Sequence, residues 1–178
     1  MMIDYANRGA AFEQMIDYTN RLYEQMGKAI INKRPTPVKI LGRNSKGMIH
    51  GYLEKPSTVD YDGTYKGRSI VFEAKSVSKL DRFDLKNIHD HQAEYLIKCD
   101  RAGAISFLLV EFTKHRTVYL MSAQTLDYYW QRKQKGGKGT QSIPIQDFDI
   151  HAYEVPSGKV PCDYLSVVDR VWKVADAS

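Results

Sequence analysis

STVDYDGTYKGRSIVFEAK, residues Ser57 to Lys75, is the stretch on which the fold turns. From Arg68 onward its residues alternate. Ile70, Phe72 and Ala74 share one face and Glu73 and Lys75 the other, because successive side chains of a strand point to opposite sides. Ile, Val and Phe at its centre mark a strand buried on at least one face. A carboxylate and an amine placed there cost free energy unless something compensates them. Upstream, Lys66-Gly67 reads as a two-residue hairpin loop. That loop pairs Tyr65 with Arg68 and, counted backward, sets Asp60 directly opposite Glu73, with Cβ atoms about 4.5–5.5 Å apart. A turn or a bulge at Asp62-Gly63 is the competing register.

Two carboxylates held that close repel, and a hard divalent cation such as Mg²⁺ removes the conflict. Asp60 and Glu73 are therefore candidate metal ligands. Lys75 is the candidate amine that orients or helps deprotonate a water and offsets charge on a phosphorus under attack. An E-x-K triplet alone is a weak signal, since an ordinary surface Glu–Lys pair accounts for most matches. Glu13 and Gln92 add to it. Glu13 flanks the apolar stripe of the first helix, where it reaches a sheet edge or is simply solvated. Gln92 falls inside a helix stripe where an apolar residue belongs, and a buried Gln needs partners, from the site or from the core.

Outward from this stretch, Phe12, Met15, Ile16, Thr19, Leu22, Tyr23 and Met26 predict a helix from Asn7 to Gly27, with Asn7 as N-cap and Gly27 just past the end. Ala29 to Asn32 is a short strand, stopped by Arg34-Pro35-Thr36-Pro37. Val38 to Lys55 reads as a hairpin-like excursion with a polar turn at Gly42–Gly47 and little to bury: a basic arm, or a poorly packed surface hairpin. Downstream come a helix from Asn87 to Ala102 ended by Gly103, and strands Ala104–Phe112 and Arg116–Ser122. A helix capped by Ser122 carries Leu126, Tyr129 and Trp130. A basic glycine-rich loop follows from Gln131 to Thr140, and a closing helix from Tyr164 to Val174 turns Leu165, Val168 and Trp172 inward. This order predicts an α/β domain with a mixed central sheet flanked by helices.

Other motifs carry less. Neighbouring positions of His89-Asp90-His91 point about 100° apart on a helix, so the three do not converge on a metal. Gly136-Gly137-Lys138-Gly139-Thr140 lacks the spacing of a phosphate-binding P-loop. No Ser-His-Asp or Cys-His arrangement stands out. The 178 residues suit a single domain with a proper core. The net charge of +5 and pI of about 9.1 fit a polyanionic partner as readily as an ordinary mildly basic domain. The longest apolar stretch, Ala104 to Val110, is too short for a bilayer. Charged residues throughout Met1–Asn20 exclude a secretory signal, so Cys99 and Cys162 are expected as free thiols in the cytoplasm.

Asn7-Arg8-Gly9 with Glu13, Lys33-Arg34-Pro35-Thr36-Pro37, Ser57 to Gly63, Tyr65-Lys66-Gly67-Arg68, Phe72-Glu73-Ala74-Lys75 and His89-Asp90-His91-Gln92 together resemble the RecU family. These are Holliday-junction resolvases of Gram-positive bacteria, within the PD-(D/E)xK nuclease superfamily. The likeness runs in order to Pro161-Cys162-Asp163-Tyr164. It implies a restriction-endonuclease-like core over residues 1–178 with a stalk insertion at about 38–55. It also implies a homodimer that makes paired Mg²⁺-dependent nicks (Mn²⁺ substituting) in branched DNA during recombination and repair. On that resemblance Asp60 and Glu73 bind metal, Lys75 is catalytic, and Glu13 and Gln92 support the site. Arg8, Lys33, Arg34, Thr58, Lys66 and Arg68 are DNA contacts, and Tyr52 and Leu53 are wedges against unstacked bases. Recombination proteins are further partners, and the setting is the nucleoid. The chain starts almost at Asn7-Arg8-Gly9, where typical members carry a long basic extension, and the stalk tip Arg43–Gly47 is its own. The other readings are a non-catalytic DNA-binding or recombinase-modulating module on the same fold, or another branched-DNA nickase.

Overall fold

The computed structural model describes residues 5–53 and 58–174, with side chains from residue 9 onward. In chain order the elements are α1 (Tyr5–Gln25), β1 (Ala29–Lys33), β2 (Val38–Arg43), β3 (Ile49–Leu53), β4 (Tyr61–Tyr65) and β5 (Arg68–Val77). Then come β6 (Arg82–Asp84), a 3-10 turn (Leu85–Asn87), α2 (Asp90–Arg101), β7 (Ile105–Phe112), β8 (Thr117–Ser122) and α3 (Ala123–Lys135). β9 (Ser142–Pro144), α4 (Ile145–His151), β10 (Tyr153–Glu154) and α5 (Tyr164–Trp172) complete the described chain.

Six strands form one sheet in the order β1-β4-β5-β7-β8-β10. Only β5 and β7 run parallel; the remaining neighbours are antiparallel. A parallel pair needs a crossover, and the chain between β5 and β7 supplies it with α2. The alternation read in β5 sorts its side chains into two cores. Ile70, Phe72 and Ala74 join Phe12, Ile16 and Tyr23 of α1 and Leu165 and Val168 of α5. Val71 and Val77 join Ala93 and Leu96 of α2, Leu126 and Trp130 of α3, and Phe148 of α4. Phe72 is fully buried and stacks between Tyr61 and Phe107 at centroid distances of 4.8 and 4.9 Å. Its truncation to Ala would cost about 3–5 kcal/mol.

The expected class, an α/β core with a mixed sheet flanked by helices and a projecting hairpin, is the architecture the chain adopts. The hairpin is β2–β3, which pair only with each other. Residues 54 and 55 of the expected stalk lie outside the described residues. Several boundaries differ. Asn7 lies inside α1 instead of capping it, and β1 runs on to Lys33. The second helix starts at Asp90, because Ile88 is extended and Asn87 closes a 3-10 turn. Gln131–Lys135 belong to α3, not to a loop, since Gln, Arg and Lys sustain a helix without any apolar periodicity. Gly27 and Gly103 end their helices with φ of +66° and +92°, and Ser122 caps α3 by accepting from the Thr125 N–H at 3.1 Å. Both cysteines are free thiols among the described residues. No described helix is long and apolar enough to cross a membrane.

Candidate active site

Lys66 and Gly67 take φ of +47° and +74°. Both central residues are thus in the left-handed region that the hairpin's own twist favours. Pairing follows as Tyr65↔Arg68, Thr64↔Ser69, Gly63↔Ile70, Asp62↔Val71 and Tyr61↔Phe72. One step further, Asp60 meets Glu73. The Asp60 N–H donates to Glu73 Oε2 at 3.0 Å and the Ala74 N–H donates to Asp60 Oδ2 at 3.1 Å. Each carboxylate is thus anchored by the backbone of the opposite segment. The turn at Asp62-Gly63 does not form. Gly63 sits mid-strand between β1 and β5, where an added Cβ would lie 2.0 Å from the Ile30 carbonyl oxygen. That close approach of two backbones, not a turn, is what requires glycine.

Glu73 lies in line with the apolar residues of the α2–α3 core, and its side chain has no solvent exposure. Oε1 accepts from Lys75 Nζ and from Gln92 Nε2, the latter at 2.6 Å. Burial pushes the Glu73 carboxyl up to about 8, against the pull of the Lys75 ammonium and with the Asp60 charge adding to the rise. Gln92, also buried, uses its other end: Oε1 accepts the His89 N–H at 3.1 Å at the start of α2. The amide is therefore oriented by the helix start and aims its donor at Glu73. Its partner is the site, not the core.

Glu13 stands at the margin. Its Oε2 pairs with Lys33 Nζ at 2.5 Å, and its carbonyl lies 3.2 Å from the Tyr61 hydroxyl, which donates to Asp17 at 2.8 Å. Lys33 is held above the ordinary lysine range by its hydrogen bond to Glu13, with Asp17 and Asp60 contributing charge. Among the described residues no group of three His, Cys, Asp or Glu side chains converges as a metal cage. The oxygens that could hold an ion are those of the Asp60 and Glu73 carboxyl groups. They suit an ion such as Mg²⁺, which is commonly held by one or two carboxylates with waters and substrate oxygens completing the shell.

The family model for recombination protein U matches residues 7–170. The chain belongs to the RecU family. The Holliday junction resolvase RecU of Geobacillus kaustophilus (strain HTA426) is 38% identical over 175 residues, 95% of this chain and 86% of that one. The Holliday junction resolvase RecU of Bacillus subtilis (strain 168) is 35% identical over 174 residues, 94% and 82% of the two chains. A solved structure of Archaeoglobus fulgidus Hjc, titled a Holliday junction resolvase from an archaeal hyperthermophile, superposes with a TM-score of 0.44 at 12% identity. It covers 80% of this chain and 93% of that one.

In this RecU-family chain the six residues expected to touch DNA are scattered. Arg8 lies in α1, and its side chain is outside the described residues. Lys33, Arg34 and Thr58 surround Asp60. Lys66 and Arg68 stand at the turn end of the β4–β5 hairpin, about 17 Å from Asp60 at some 3.4 Å per residue. There Lys66 pairs with Asp169 at 3.1 Å and Arg68 donates to the Gly103 carbonyl at 2.8 Å. Tyr52 and Leu53 are 48% and 67% exposed on the projecting β3.

Arg34 has a part the sequence did not disclose. Its N–H donates to the Asp60 carbonyl at 2.8 Å, and its guanidinium bonds Thr58 Oγ1 and pairs with Asp62 at 2.9 Å. The same group lies over the Tyr95 ring at 5.4 Å. It thus clamps both flanks of Asp60 to α2, the helix that carries Gln92. No spacing rule joins residues 34, 58, 62 and 95, so only the folded chain reveals the set.

Proposed function

We propose that the chain is a Mg²⁺-dependent endonuclease that resolves four-way DNA junctions by paired phosphodiester hydrolysis, working as a homodimer at the nucleoid. The observation that carries this reading is the convergence of Asp60, Glu73, Lys75 and Gln92 across one hairpin and one helix start. A carboxyl held without solvent contact beside a second carboxylate costs stability in the metal-free fold. The curated relatives named as Holliday junction resolvases support the choice of substrate.

Asp60 and Glu73 would hold the cation, with Asp60 Oδ2 steadied by the Ala74 N–H. When bound, the ion (Mg²⁺, or Mn²⁺ as substitute) supplies polarisation of the phosphodiester. The chain's own groups do the rest. Lys75, partly exposed beside Glu73, orients the attacking water and offsets the growing negative charge on the phosphoryl oxygens. Gln92 fixes Glu73 in place, and the Arg34 clamp fixes Asp60. Glu13 and Lys33 border the path of the strand. A homodimer presents two such sites in the two-fold relation that a four-way junction shares.

The test is cleavage of a labelled synthetic four-way junction beside a linear duplex of the same sequence, in Mg²⁺ and in EDTA. Symmetric nicks confined to the junction and absent in EDTA are expected. Asp60→Asn should lower the cutting rate by at least about 100-fold and leave junction binding intact. Tight junction binding with no cutting in any metal would instead make the chain a DNA-binding module. Equal cutting of linear duplex would make it a general nickase.

A further inference from the structure

Past Lys75, strand β5 leads straight into a groove that the catalytic chemistry leaves unused. Val77 lies on the same face of β5 as Glu73 and Lys75, and beside it opens a hollow of about 290 Å³ between Ser76–Lys79 and the Lys86-Asn87 end of the 3-10 turn. A second hollow, of about 490 Å³, continues from it where Lys79, Arg82 and Lys86 face Gly139. The two adjoin at Lys79, Asp84 and Lys86, which line both.

The charge there is unbalanced. Three cations, Lys79, Arg82 and Lys86, line the larger hollow with one carboxylate, Asp84, which Lys79 and Arg82 hold at 2.6 and 3.2 Å; Arg82 also pairs with Asp81 at 2.8 Å, so Lys86 is the cation left in excess. Lys86 is exposed and, among the described residues, has no acidic partner. The opposite wall is Gly139, from the glycine-rich loop after α3, with Gln141 and Ser142. Gly136, Gly137 and Gly139 take φ of +74°, +109° and +79°, so that loop has little side-chain bulk and lets another backbone approach closely. A small anion is best held in an enclosed pocket, whereas an open basic channel running on from a cutting site suits a continuous polyanion.

We infer that the two hollows together are a track for the phosphate backbone of the DNA arm on one side of the cleavage position, with Lys79 and Lys86 as its contacts and Gly139, Gln141 and Ser142 as its outer wall. The inference rests on the nuclease reading. A strand whose phosphate lies at Asp60, Glu73 and Lys75 continues along β5 and meets Lys79 and Lys86 next. The contacts carry no base information; they position the arm.

The experiment measures four-way junction binding in EDTA over a range of salt, with the wild type, the Lys79→Gln/Lys86→Gln double variant and Lys98→Gln, an exposed cation toward the far end of α2. The double variant should flatten the plot of log affinity against log salt by about 1.8, two phosphates at roughly 0.9 each. In a phosphate-ethylation interference map it should lose the signals on one side of the cut and keep those at the cut. Lys98→Gln should leave the slope unchanged, and circular dichroism checks that all three proteins are folded. An unchanged slope and map for the double variant, or an equal change for Lys98→Gln, overturns the track and leaves the nuclease reading standing. Failure of the wild type to bind any branched DNA overturns both.

Discussion

Glu73 has no contact with solvent, yet holding a cation requires it to be ionised. Without metal its carboxyl is pushed up to about 8 by burial, from an ordinary value of 4.5. Below about pH 4.5 the group is protonated in the folded and unfolded chain alike. As pH rises the unfolded chain ionises first, so the folded state progressively loses stability until it too ionises near pH 8. Glu73→Gln removes this dependence. In EDTA, the melting temperature of the variant relative to wild type should therefore be higher at pH 9 than at pH 5, by an amount on the order of a few kcal/mol in stability. Parallel behaviour of the two proteins across that range would show that Glu73 is ionised in the metal-free fold. The same variant should not cut, so stability would rise as activity disappears. The Asp60–Glu73 pairing was legible beforehand, because a two-residue turn fixes every pair behind it. The oriented amide of Gln92 was legible as a misplaced polar residue. The Arg34 clamp was not, because its partners come from two segments distant from it in sequence, residues 58–62 and Tyr95.

At the scale of elements, the three-way junction of β1, β4 and β5 is the point most sensitive to volume. Gly63→Ala would drive a methyl group to within 2.0 Å of the Ile30 carbonyl oxygen, an atom held by the sheet itself. A loss of about 3 kcal/mol or more is expected in urea unfolding, with a matching loss of cutting because Asp60 follows three residues behind in the same hairpin. Near-wild-type stability would mean that β1 slides away easily. The long elements could be read from pattern alone: α1 and α5 from their stripes, β5 and β7 from apolar runs bounded by turns. The short ones could not. β6 and β9 pair three residues each and bury one apolar side chain apiece, Phe83 and Ile143. α4 spans seven residues and buries only Phe148, and β10 is two residues long. Such pieces have too few periods to register as a pattern. They form because the larger layers are already in place to receive them.

At the scale of the molecule, the catalytic body and the β2–β3 hairpin answer to different constraints. Tyr52 and Leu53 are largely exposed, so Tyr52→Ala and Leu53→Ala should shift thermal stability by no more than about 0.5 kcal/mol. If these side chains stack against opened bases, each change should weaken junction binding by about 1–3 kcal/mol while leaving affinity for linear duplex as it was. Loss of both affinities in equal measure would assign the hairpin to general DNA contact. The basic hollows beyond Lys75 and this arm lie on a body with a net charge of +5, so all DNA affinities here should fall steeply with salt. Val38, Ile40, Leu41, Ile49 and Leu53 all stand more than half exposed on the hairpin. Folding therefore exerts almost no selection on those five side chains, whereas Gly51, where an added Cβ would lie 2.3 Å from the Lys39 carbonyl oxygen, is held by the pairing itself. Replacements at the five survive or vanish according to what the arm touches, and its sequence can drift there between lineages faster than the sheet it grows from, leaving a record of changing substrates instead of a record of the fold.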